Sequence, residues 1–142
     1  MKNLFIILIA FVLVMSGCSK KSDPAPPPAP SLLGKWYVTK STVTVYQNNV
    51  LVSKQDSPGD RSKSMTFNSD NTGSATDSGY ESPFKYALNE KSLVVTFPPY
   101  NDPNNVNVAT YTIKTMTLSS LDMTTEWGDV SYKETTDYQL AR

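Results

Sequence analysis

The chain has 142 residues, with thirteen Lys and Arg balanced by thirteen Asp and Glu, one cysteine and no histidine. Without histidine, the usual general base of Ser/His/Asp or Cys/His catalysis is missing, as is the commonest ligand for zinc and haem. The even charge offers no basic field for nucleic acid, and a single thiol allows no intrachain disulfide.

Lys2 supplies a positive start, and Leu4 to Met15 is apolar throughout. A secretory signal peptide has this order, with an apolar core of about 7–15 residues. A bilayer-crossing helix needs roughly 20. Ser16 and Gly17 then precede Cys18. This resembles the lipobox of bacterial lipoproteins, in which the peptide is cut before a cysteine whose sulfur takes diacylglycerol and whose new amino group is acylated. Residues 1–17 are therefore expected to be the signal peptide, with Cys18 as the lipidation site. A secreted protein with a free cysteine, or an uncleaved anchor, is the alternative. Ser19 after the cysteine resembles the Gram-negative pattern for the outer membrane, with the periplasmic or surface face left open. The membrane, reached through this anchor, is the one partner the sequence implies directly.

Residues 18–31 form the tether. Ser19 to Ser31 contains five of the ten prolines, which lack a backbone donor and fix φ. Polyproline II at about 3.1 Å per residue makes this a semi-rigid stalk of roughly 40 Å. Leu32 to Arg142 leaves one domain of 111 residues, with ten Lys/Arg against twelve Asp/Glu.

That domain alternates apolar and polar residues almost everywhere, the mark of strands with one buried face. Trp36 and Val38 share a face, and the parity shifts near Lys40–Thr42 toward Val43 and Val45, which predicts a bulge. Asn48-Asn49 reads as a type I′ turn. Met65 and Phe67 precede the polar loop Asn68–Gly73, an ordinary Asn/Asp/Gly turn rather than a calcium loop, since the twelfth position is Gly79. Phe84, Tyr86 and Leu88 alternate, then Leu93, Val95 and Phe97 after a turn at Asn89–Lys91. Ala109, Tyr111 and Ile113 follow. The final stretch places Leu121, Met123, Thr125, Trp127, Val130, Tyr132, Glu134, Thr136, Tyr138 and Leu140 on one face, joined by a two-residue Gly128-Asp129 turn. Eight or nine short strands fit a barrel or a sandwich. The barrel is preferred because closure removes both sheet edges: an all-β, antiparallel up-and-down barrel of about eight strands.

Four segments carry a family resemblance: LLGKW (Leu32–Trp36), MTFNSDNTGS (Met65–Ser74), FKYALNEKSLVVTF (Phe84–Phe97) and YTIKTMTLSSLDM (Tyr111–Met123). In this order they resemble the bacterial lipocalin-like domain lipoproteins. The resemblance implies an eight-stranded antiparallel barrel with a central cavity. It also implies that Trp36 plugs the closed end under a basic residue of the last strand, here Arg142, although Arg142 could equally fray into solvent.

Glu134 is the exception on the apolar face. With Tyr132 and Tyr138 it could anchor a ligand inside an otherwise apolar pocket, with Met123 on the same lining; the alternative places it near the barrel mouth or outward. The expected role is non-catalytic binding of a small apolar or amphipathic molecule, without cofactor or metal. The alternative is a side-chain-filled barrel that binds another protein or a glycan.

Overall fold

Period-two alternation hides one face only when the chain is extended and paired, and the described residues contain strands and no helix. A computed structural model describes residues 27–99 and 106–142. The expected signal peptide, Cys18 and most of the proline stalk lie outside them.

The described residues form nine strands: β1 (Gly34–Gln47), β2 (Val50–Pro58), β3 (Ser64–Phe67), β4 (Thr72–Asp77), β5 (Tyr80–Asn89), β6 (Ser92–Phe97), β7 (Asn107–Met116), β8 (Ser120–Gly128) and β9 (Tyr132–Ala141). All pairings are antiparallel, and β9 returns to pair with β1. Eight strands, all but β2, thus close an up-and-down barrel. β1 is long enough to serve two partners on one edge, with Gly34–Tyr37 pairing to β3 and Lys40–Gln47 to β2. β2 has no second partner among the described strands, and all nine of its residues are exposed.

The turns follow their residue chemistry. Asn48 and Asn49 both have positive φ, as a type I′ turn requires. The expected bulge in β1 falls between Val38 and Lys40. The β8–β9 connection differs from the two-residue turn read from sequence. Trp127 pairs with Glu134 and Gly128 with Lys133, so the link spans Asp129–Ser131 and Val130 stands in solvent at 72% exposure. The Asp129 carboxylate explains the extra residue: it accepts from the backbone N–H groups of Ser131 and Tyr132 at 2.8 and 3.2 Å, an Asx-type cap.

The inward face carries the core. Trp36, Phe67, Leu93, Val95, Leu121, Met123 and Leu140 are all but inaccessible, and each such side chain contributes about 1.5–3 kcal/mol relative to exposure. The outward face carries ion pairs, Lys40–Asp56, Lys114–Asp137 and Lys133–Glu126, the reverse of a lipid-facing barrel. Among the described residues, all nine strands and the core cluster lie within residues 32–142. The two ends of the barrel differ. Leu32, Trp36, Arg142 and the turns after β3, β5 and β7 lie at one end. The turns after β1, β4 and β8, and the end of β6, lie at the other.

Candidate functional site

The first end is sealed. The Trp36 indole donates to the Leu32 carbonyl at 2.7 Å, and the Arg142 guanidinium sits 4.0 Å from its ring centroid while donating to the Ser31 carbonyl. Above this plug, Phe67 meets Phe84 at 5.5 Å and Tyr86 at 5.1 Å, and Phe84 meets Phe97 at 5.7 Å. These tilted and edge-on contacts are the favoured aromatic geometries. Gly73 makes room for them: a Cβ there would strike the Phe84 ring and the Thr66 carbonyl. The Tyr86 hydroxyl donates to the Asn68 carbonyl at 2.6 Å, tying the β3–β4 turn to the wall.

Toward the other end the wall parts. The β5–β6 ladder stops at the Lys85–Thr96 pair, and Tyr80–Phe84 pair only with β4. Two proline sites account for this. Pro83 lacks a donor in the upper part of β5, and Pro98-Pro99 ends β6. The gap forms a cleft of about 530 Å³ bordered by Gly73, Pro83, Phe84, Phe97, Pro98 and Val106. Beside it, an open volume of about 1080 Å³ is bordered by Glu81, Ser82, Phe97, Asn107, Val108 and Trp127. Phe84, almost fully buried, joins the cleft to the core.

The four candidates read from β8 and β9 lie across the barrel from this gap, and none borders either volume as described. All four face inward in register, and they separate by depth. Met123, 2% exposed, pairs with Tyr138 in the packed interior. Tyr138 meets Tyr111 edge-on at 6.1 Å. Burial raises both phenols, Tyr111 to about 12 with Tyr138 adding to the shift. Glu134 and Tyr132 stand together near the open rim, where the Tyr132 hydroxyl is 3.4 Å from Glu134 Oε2. Glu134 therefore faces inward and also lies near the mouth.

The gap-lining residues escaped the sequence reading because they surround a break in alternation rather than an instance of it. Pro83 immediately ahead of one predicted strand and Pro98-Pro99 behind another were the available signals. Trp127 was placed on the correct face, but its 71% exposure was not foreseeable. No group of His, Cys, Asp and Glu among the described residues is arranged to hold a metal ion.

Comparison with curated proteins returns no match, and comparison with solved structures returns none. Residues 32–123, from the plug through the first half of β8, match the family described as the lipocalin-like domain. With that span covering most of a chain whose eight strands close antiparallel around an apolar interior, the protein belongs to the lipocalin-like domain family.

Proposed function

We propose that this is a lipid-anchored outer-membrane protein whose barrel binds a small apolar or amphipathic molecule without transforming it. The cleft at the β5–β6 gap carries the reading: about 530 Å³ suits a small ligand, and Phe84 links it to the core. Pro83, Phe84, Phe97, Pro98 and Val106 give it a mainly apolar lining, with Thr72, Lys85 and Thr96 as its polar members. Membership of the lipocalin-like family agrees with small-molecule binding in general.

The Leu4–Cys18 pattern and the proline stalk support the anchor. Because the chain enters the barrel at the Trp36 end, a tether there would point the open end away from the membrane. In a Gram-negative host, the chain is expected to incorporate a labelled fatty acid and to fractionate with the outer membrane. Cys18→Ser should abolish both; an unlabelled wild-type chain would overturn the anchor.

The alternative, a protein- or glycan-binding module, draws on the packed lower half of the barrel and on exposed Trp127. Displacement of a neutral hydrophobic dye discriminates. The chain from Ser19 onward should take up dye at one saturable site. Val106→Glu, which puts a charge at the cleft without touching the core, should weaken uptake about tenfold or more, as burying an unpaired carboxylate is costly. A chain that takes up no dye is a filled module instead.

A further inference from the structure

The open rim holds a carboxylate that none of the salt bridges among the described residues engages. Glu134 is half-buried on the inward face of β9, paired across to Val45 of β1 and Trp127 of β8. Its hydrogen-bond partner among the described residues is the Tyr132 hydroxyl. The salt bridges among those residues join other groups: Lys40 to Asp56, Lys63 to Asp77, Lys114 to Asp137 and Lys133 to Glu126. Trp127, an apolar side chain of large area, stays 71% exposed beside it. The indole and the Tyr132 ring meet at 73° with centroids 5.8 Å apart, two aromatic walls near a right angle with a carboxylate next to them.

This combination selects a class of guest. A carboxylate repels anions, and a neutral guest would desolvate Glu134 without giving it a partner. Aromatic faces attract cations through the ring quadrupole. A primary ammonium is strongly hydrated, whereas one carrying alkyl groups presents apolar surface to the indole and to Val45. We propose that Trp127, Tyr132 and Glu134 form a seat for an organic cation of the quaternary-ammonium type. The proposal rests on the ligand-binding reading and deepens it. Trp127 also borders the larger open volume, so the cationic head of an amphiphile would sit at the rim with its apolar part directed toward the gap.

Choline tests the seat apart from the cleft. In the chain from Ser19 onward, the indole N–H signals of Trp36 and Trp127 can be followed by NMR at constant ionic strength. Choline should move the Trp127 signal saturably and leave the sealed Trp36 signal in place. Binding should be about tenfold tighter than for the uncharged isostere in which tert-butyl replaces trimethylammonium. Glu134→Gln, isosteric and at the rim, should reduce that preference severalfold, leaving the part that the aromatic rings supply. Trp127→Leu, which keeps the carboxylate, should weaken choline when Tyr132 is the reporter. An unmoved Trp127 signal, equal affinity for choline and isostere, or a preference undiminished in Glu134→Gln overturns the seat. Dye uptake by a chain that ignores choline overturns the seat and leaves the cleft; choline binding without dye uptake does the reverse.

Discussion

Trp36 shows how one side chain can settle several questions at once. It is fully buried, its ring nitrogen is satisfied by Leu32, and its face is covered by Arg142. The guanidinium also reaches the Ser31 carbonyl, so the two residues fasten the incoming chain to the floor of the barrel. Trp36→Ala would leave a large cavity at a cost of about 3–5 kcal/mol. The lid is a separate matter. Arg142 is exposed, and a cation–π contact at an exposed site contributes about 0.5–1 kcal/mol. Arg142→Ala should therefore lower the urea midpoint by a corresponding amount with an unchanged denaturant slope, and Arg142→Lys should recover part of it. No shift in the midpoint would mean that the guanidinium frays into solvent.

Among the elements, legibility follows how strictly each strand obeys alternation. β6, β7, β8 and β9 were readable because Leu93, Val95, Ile113, Leu121, Met123 and Leu140 recur at period two and are all buried. β1 kept its face through the bulge, since Val38 on one side and Val43 and Val45 on the other pair with β9, while Trp36 pairs with Met65 of β3. β2 defeated the pattern: Val50, Leu51 and Val52 are consecutive apolar residues that the structure leaves exposed at 55–66%. Apolar content alone could not say that this strand stands outside the closed circuit. Its exclusion follows from β1 having to give its lower edge to β3, a long-range choice that no local window contains. The upper part of β5 failed for the opposite reason. The alternation was read only from Phe84 onward, whereas β5 begins at Tyr80 and continues through Pro83, whose missing donor reshapes the wall instead of ending the strand. The candidate site was legible as far as Glu134 facing inward. The gap across the barrel was hidden because it arises from two strands failing to meet.

For the whole molecule, the titratable groups set a stability window. Residues 32–142 contain neither histidine nor cysteine, so none of their side chains has an ordinary pKa between about 5 and 9. Hydrogen bonds hold several carboxylates below their usual range: Asp56 through Lys40, Asp77 through Lys63, Asp70 through Thr72 and Asp137 through Lys114. A carboxyl lowered in the folded state stabilises above its ordinary pKa, and that contribution disappears as pH falls through the folded value. These groups are exposed and screened, so the acid limb should be shallow. The alkaline limb is set inside the barrel. Burial raises Tyr111 to about 12, and raises Tyr138 and Tyr86 in the same direction. A phenol raised in the folded state stabilises fully below its ordinary value of 10 and loses that contribution as pH climbs through the folded value. For Tyr111 the amount at stake is at most about 2–3 kcal/mol. The melting temperature should therefore be level from about pH 5 to 9 and fall above about pH 10 as the barrel is forced to admit phenolates. Tyr111→Phe removes one such phenol, so its alkaline fall should begin at higher pH, while its acid limb overlays that of the wild type. A melting curve that slopes through neutral pH, or an alkaline fall untouched by Tyr111→Phe, would show that groups other than the buried tyrosines control the edge of the window.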